Sequence, residues 1–332
     1  MQHSLCIGFY RIALRQLHLH PHLYFVLTMP AVSVILNLYN GAATVAEAID
    51  SVVAQSFGDW ELLVWDDCST DNGLDIVERY HDPRIRYFRS DRQLPLGQAR
   101  QAAIDMASGE WIAFLDQDDL WLPHKLERQL AVAGEKPDAA LVYGRTVRFY
   151  PNGRERDYDQ AHEYALLPEG DIFTSLFSDS CYIAMSSALF RRSAIAAIGG
   201  IPATIAIIPD YYLYLAVTRR FPAAALQEVV CRYRMHGANT SQTTSVAVQQ
   251  EALRLMEMYR GTVDAKLLAR CKRRHSTQLA LAEMRNGSTF FRGTTRLLTE
   301  GSLYSQLLRP FYFVFHRVRR SVIRPYWKTV SR

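Results

Sequence analysis

Asp116-Gln117-Asp118-Asp119 places three carboxylates in four residues. They follow Trp111-Ile112-Ala113-Phe114-Leu115, an apolar run too short for a helix and preceded by Gly109. Such a run reads as a buried strand of a parallel sheet. Carboxylates at the carboxyl end of such a strand stand where open α/β sheets bind ligands. Three this close repel one another. A hard divalent cation, Mg2+ or Mn2+, would relieve that repulsion and hold a phosphate-bearing substrate. The alternative is a polar turn entering a helix, with Asp119 as its N-cap or first-turn acid.

Two further acidic sites stand where an element ends or begins. Trp60-Glu61-Leu62-Leu63-Val64-Trp65 reads as a strand that ends in Asp66-Asp67. Asp210 opens the apolar helical stretch Tyr211 to Val217. The elements that must position these groups follow from periodicity. Val32 to Leu36 is a buried strand ending in the polar loop Asn37-Leu38-Tyr39-Asn40-Gly41. Val45, Ala48, Ile49, Val52 and Val53 recur at helical spacing. Ser69 or Asp71 caps a helix carrying Leu74, Ile76, Val77 and Tyr80. Ile85 to Phe88 is a third strand, and Gly97 to Ala107 a helix closed by Gly109. Strand and helix therefore alternate, at spacings suited to βαβ crossovers. Parallel strands bring all their carboxyl ends to one edge, so Tyr39-Asn40, Asp66-Asp67 and Asp116 to Asp118 converge there.

Beyond this half, Ala139 to Gly144 is a strand, and Thr146 to Tyr150 enters a hairpin about Pro151-Asn152-Gly153. Residues 154–169 are polar and irregular, Ile183 to Phe190 reads as a strand, and Ser193 to Ile198 as a short helix stopped by Gly199-Gly200. Leu226 to Tyr233 is a strand, the loop His236 to Ser241 follows, and helices fill much of 246–285.

Composition narrows the class. The chain has 332 residues, 49% hydrophobic and 21% charged, as expected of one large globular domain plus an appendage. Its five scattered cysteines form no Cys-x-x-Cys pair, which argues against a disulfide framework or zinc site and favours a reducing cytoplasm. The net charge of +5 is local. Residues 302–332 hold seven Arg and Lys and no acid, so removing them leaves −2. That excludes a nucleic-acid-binding surface spread over the protein. Neither Gly-x-Gly-x-x-Gly nor Gly-x-x-x-x-Gly-Lys occurs, which removes dinucleotide and P-loop readings. No apolar run reaches 18 residues, the length of a spanning helix.

Five motifs in order resemble a bacterial family-2 glycosyltransferase over about residues 30–240. They are Val32-Ser33-Val34-Ile35 with Tyr39-Asn40, Val64 to Asp71, Gly97 with Ala99-Arg100, Phe114 to Asp119, and Tyr233 to Ser241. The resemblance implies a GT-A fold: an α/β, Rossmann-like mixed sheet with helices on both faces, here with a C-terminal helical appendage. It implies inverting transfer from a nucleotide-sugar, most often a UDP-sugar, to a saccharide or lipid-linked acceptor in surface polysaccharide or glycolipid synthesis. By motif, Tyr39 and Asn40 would stand at the nucleotide and Asp67 would accept from the base edge. Arg100 would steady Asp116 or the donor, and Asp116 would reach the ribose. Asp118 would bind Mn2+ or Mg2+, with His236 near the ion or diphosphate. Asp210 matches the catalytic base. The family's preceding acid is Pro209 here, its Gly-Gly-Phe-Asp reads Gly199-Gly200-Ile201-Pro202, and the usual proline of the first motif is Asn37.

The implied organisation is a leader (1–29), a catalytic domain (30–240), a helical extension (241–301) and a basic amphipathic tail (302–332). The leader is expected to lack fixed structure. The tail has two readings, contact with the inner face of the cytoplasmic membrane or packing on the catalytic domain. Two competing functions are an impaired nucleotide-binding scaffold, suggested by Pro209, and a nucleotidyltransferase. The latter needs a phosphate-gripping cation near the first strand, and 37–45 contains no Lys or Arg.

Overall fold

The computed structural model describes residues 29–157, 166–179, 181–236 and 245–285, with residues 289, 292, 293 and 296. The leader up to residue 28 and the tail 302–332 lie outside the described residues.

Four parallel strands form the first half: β1 (Val32–Leu38), β2 (Trp60–Asp66), β3 (Ile85–Arg89) and β4 (Trp111–Asp116). Helices α1 (Val45–Val53), α2 (Gly73–Val77) and α3 (Leu96–Asp105) make the crossovers. Strand β1 pairs with both β2 and β4, with Leu38 opposite Asp66 and Asn37 opposite Asp116. Its near-continuous apolar run follows from burial on both faces. Val34, Leu36 and Leu38 pack with Val45, Ile49 and Val52 of α1, whereas Ile35 faces the core on the other side, where Ala103 and Ile104 of α3 lie.

The second half adds β5 (Leu120–Trp121), α4 (Lys125–Glu135), β6 (Leu141–Phe149), β7 (Glu155–Asp157), α5 (Phe173–Asp179), β8 (Ala188–Arg191), α6 (Arg192–Ala197), α7 (Pro209–Thr218) and β9 (Ala223–Arg234). The strand order is β3-β2-β1-β4-β8-β6-β9-β5, with β7 on β6. Strand β8 runs antiparallel between β4 and β6, and β9 runs parallel to β6. The sheet is therefore mixed, and β9 delivers its carboxyl end to the same edge as β4. Helices α8 (Ser245–Met258) and α9 (Ala265–Arg285) pack into the core that holds α7, through Ala252, Leu255, Met256, Leu268 and Cys271.

Four local expectations need correction. The strand expected over 183–190 is only β8. Met185–Ser187 forms a 3-10 turn in which Ser187 N–H donates to the Ala184 carbonyl at 2.9 Å, and the buried Ser186 hydroxyl reaches Asp119. The two strand pieces around Gly144 are one strand, β6, whose register with β9 slips on either side of Arg145; the hairpin partner is β7. Asp119 does not start a helix. Helix α4 begins at Lys125, and Asp119 is buried as a structural acceptor. The expected cap of α2 is also displaced. Asn72 holds the N-cap position, and Asp71 accepts from Gly73 N–H at 2.9 Å.

Candidate active site

The loop after β1 is shaped by its neighbours. Asn40 adopts φ 48°, a left-handed conformation Asn tolerates, and its side-chain carbonyl accepts from Thr70 N–H and Oγ1 at 2.8 and 3.1 Å. Its amide group is thereby directed at the β2 loop rather than into open space. Tyr39 is 42% exposed at the loop tip, leaving its ring face available. Its backbone is clamped by Gln117, which accepts from Tyr39 N–H at 2.8 Å and donates to the Tyr39 carbonyl at 3.1 Å. Gly41 makes room for that amide, since a Cβ there would lie 2.4 Å from Gln117 Oε1. The middle residue of the acidic motif thus ties two of the converging loops together.

The β2 loop presents Asp66 and Asp67. Asp66 is fully buried and accepts from Ser69 N–H at 3.1 Å, which folds the turn through Cys68 at φ 65°. Asp67 accepts from Leu94 N–H at 2.9 and 3.1 Å. Burial, joined by the Asp66 charge, pushes the Asp67 carboxyl above its ordinary range. Since β2 and β4 flank β1, the ends of these two strands stand about 10 Å apart across two strand spacings.

At the end of β4, Arg100 reaches from α3 and donates to Asp116 Oδ1 at 2.7 Å. The guanidinium is buried, and it lies 5.8 Å from the Phe114 ring centroid. Asp210, in the first turn of α7, sits in the field of this pair. Burial pushes its carboxyl up, Arg100 pulls it down, and Asp116 pushes it up again. Asp118 Oδ2 lies 2.7 Å from His236 Nε2, just beyond β9. Burial and then Asp116 raise the Asp118 carboxyl against that hydrogen bond.

Asp119 binds the two halves beneath these groups. It accepts from Ser186 Oγ at 2.6 Å and from Arg234 N–H at 3.1 Å, and burial pushes its carboxyl well up. The Arg234 guanidinium donates to the Asp118 carbonyl at 2.7 Å and to Glu47 Oε2 at 2.8 Å. Sequence reasoning gave no role to Gln117, Ser186 or Arg234. Gln117 and Arg234 lay inside the quoted motifs, which was the available signal; Ser186 had none.

Among the described residues, no three His, Cys, Asp or Glu side chains surround one point. Asp118 and His236 nevertheless face each other with one oxygen and one nitrogen donor. Mg2+ and Mn2+ accept such donors, and Mg2+ commonly takes one or two carboxylates with the rest from substrate phosphates and water. The pair fits an ion that arrives with a diphosphate.

With this geometry in place, the comparisons are specific. A family model for glycosyl transferase family 2 matches residues 33–199. The chain belongs to glycosyl transferase family 2. Relatives include an uncharacterized glycosyltransferase of Nostoc sp., 29% identical over 226 residues, covering 66% of this chain and 69% of the relative. Another is the Escherichia coli UDP-Glc:alpha-D-GlcNAc-diphosphoundecaprenol beta-1,3-glucosyltransferase WfgD. It is 40% identical over 113 residues, but only 34% of this chain and 44% of that protein are covered. Among solved structures, Staphylococcus aureus TarS 1-349 in complex with UDP-GlcNAc superposes with a TM-score of 0.60 at 16% identity, covering 81% of each chain. The mannosyltransferase PcManGT of Pyrobaculum calidifontis, in complex with GDP-Man and Mn2+, gives 0.55 at 17% identity, covering 91% of this chain and 84% of that one. These likenesses show the GT-A fold. The family-2 match ends before α7, so Asp210 and His236 lie outside it. No helix among the described residues is long and apolar enough to cross a membrane.

Proposed function

We propose that this family-2 glycosyltransferase inverts the anomeric centre of a nucleotide-sugar, with Asp210 as base. The observation that carries the reading is the position of Asp210 at the head of α7, within the field of the Arg100–Asp116 pair. Asp118 and His236 form a contact just past the β4 end. A base raised by burial holds a proton more strongly, which suits general-base work if the group is still ionised at working pH. The acceptor hydroxyl gives its proton to the Asp210 carboxylate as its oxygen bonds to the anomeric carbon. The bond from that carbon to the diphosphate breaks with inversion, and the nucleoside diphosphate leaves with the electron pair. Tyr39 packs near the base, Asp67 accepts from the base edge, and Asp116, oriented by Arg100, reaches the ribose. Mg2+ or Mn2+ held by Asp118 and His236 would supply positive charge to the leaving diphosphate.

A UDP-sugar donor and a lipid-linked saccharide acceptor are supported by the name of the Escherichia coli relative and by the UDP-GlcNAc complex of TarS. Surface polysaccharide or glycolipid synthesis at the inner face of the cytoplasmic membrane is the setting this chemistry suits. The scaffold alternative rested on Pro209. In the structure Pro209 is the first residue of α7, where its missing N–H costs nothing, and Asp210 still lies in the field of Arg100 and Asp116. No other observation favours that alternative.

The test is a panel of nucleotide-sugars screened for metal-dependent thermal stabilisation, followed by transfer to alpha-D-GlcNAc-diphosphoundecaprenol. The expected outcome is stabilisation by a UDP-sugar with Mn2+ or Mg2+ and release of UDP only with acceptor present. Equal stabilisation by every nucleotide without metal, and no UDP release, would contradict it.

A further inference from the structure

Helix α7 begins awkwardly for a helix that must present a reactive side chain. Its N-cap is Ile208, which has no side-chain acceptor, and its first residue is Pro209. The N–H groups leading into it need partners, because buried donors left unpaired are costly. They find one outside the family-2 match. Glu251 of α8 is fully buried and accepts from Ala206 N–H at 3.1 and 3.0 Å, from Ile207 N–H at 2.7 Å and from Ile208 N–H at 2.9 Å. One carboxylate gathers three successive backbone donors at the positive end of a helix, an arrangement favoured by charge-assisted bonding and by the helix dipole.

The same segment touches the donor side. Gly97 N–H at the head of α3 donates to the Ala206 carbonyl at 3.1 Å, and a Cβ at Gly97 would lie 1.9 Å from the Ile205 carbonyl oxygen. Arg100 is three residues further along α3. Residues 205–208 are therefore held from one side by the helix that carries Arg100 and from the other by Glu251, two residues before Asp210.

We propose that Glu251 is a positioning residue for Asp210, so that the helical extension is part of the acceptor site. This rests on the reading of Asp210 as base. Glu251 supplies to the start of α7, from another helix, the acid that Pro209 does not. A misplacement of about 1 Å at a reacting group costs about 100-fold in rate, so a loosened segment shows in turnover rather than in donor binding.

The experiment uses the full chain with Mn2+, UDP-glucose and alpha-D-GlcNAc-diphosphoundecaprenol as probes. Glu251→Ala is expected to lower kcat by about 10- to 100-fold while the donor KM and the calorimetric Kd for UDP stay within about twofold. Amides 206–208 exchange faster with solvent. Glu251→Gln keeps the volume and one acceptor oxygen and falls between, and it carries the test if the alanine variant does not fold. In an Asp210→Asn background, adding Glu251→Ala lowers the residual rate by less than about twofold, because residues acting through one group are not additive. The proposal is overturned if Glu251→Ala keeps kcat with amides 206–208 exchanging faster. It is equally overturned if kcat and donor affinity fall together, or if the two substitutions multiply. Full activity in Asp210→Asn alone would instead remove the base assignment, a different result from any of these.

Discussion

On the proposed reading, the edge of the sheet has a donor side, built from the loops after β1, β2 and β4, and an acceptor side, built around α7. The donor side closes on itself. Tyr39 with Gln117, Asn40 with Thr70 and Asp71 with Ala42 N–H are all contacts between its own loops, and all lie inside the family-2 match. The acceptor side borrows its support. Its proposed base, Asp210, stands on a helix whose entry is held by Glu251 from beyond the match. The difference suggests that the nucleotide loops are a property of the parallel half, whereas the Asp118–His236 pair and turnover draw on residues far along the chain.

The largest effect that would break this division is at Asp210. Asp210→Asn is expected to cut transfer by about 10²–10⁴-fold with UDP binding retained. The wild-type pH–rate profile sharpens it. Because burial raises the Asp210 carboxyl, the acid limb of kcat falls at a pH above the ordinary carboxylate range and is absent from the residual rate of the variant. A variant profile with the same limb would assign the titration to another group.

Gly97→Ala comes next, because it strikes the junction of the two sides. The added Cβ meets a backbone carbonyl, not the end of a flexible side chain. Overpacking of this kind costs about 1–3 kcal/mol, read as a lower melting midpoint, and kcat should fall with it. Unchanged kcat would separate the two sides more cleanly than the structure does. A smaller effect is confined to the donor side. Gln117→Ala removes two hydrogen bonds to the Tyr39 backbone, each worth about 1 kcal/mol, so the donor KM is expected to rise by about 10-fold with kcat little changed.

The smallest effect lies beneath both sides and should leave the comparison untouched. Lys125 is buried, donates to Gln129 Oε1 at 2.6 Å, and is pushed by burial down to about 7. The unfolded chain therefore binds more protons than the folded one between about pH 7 and pH 10. Stability from this group rises with pH across that window. Lys125→Met should flatten that rise in urea melts at pH 6.5 and 9.5, with transfer near the wild-type rate.

The donor side was legible in the sequence because its signals are local. Apolar runs ending in Asp66-Asp67 and Asp116 to Asp119 fix both the strands and the edge they serve. Arg100 could be placed with Asp116 only through the resemblance, since helical spacing says nothing about which strand end a guanidinium will meet. What stayed hidden depends on contacts distant in sequence. Asp119 looks like a helix start, yet Ser186 and Arg234 turn it into a buried tie, and both partners stand more than 60 residues further along the chain, in a 3-10 turn and at the end of β9, where no periodicity announces them. The strand expected over 183–190 is cut short because Ser187 N–H turns back to the Ala184 carbonyl in a 3-10 turn instead of extending the ladder, which places Ser186 on Asp119. Glu251 lies in a stretch that reads only as helix, and nothing in its spacing points 43 residues back to Ile208.

Isothermal titration of UDP with and without Mn2+, on the wild-type chain, Asp118→Ala and Asp210→Asn, tests the central claim most directly. A Mn2+-dependent gain in affinity is expected for the wild type and for Asp210→Asn, and its loss for Asp118→Ala, while transfer falls steeply in both variants. Equal Mn2+ dependence in all three proteins would contradict the assignment of the ion and diphosphate to the end of β4.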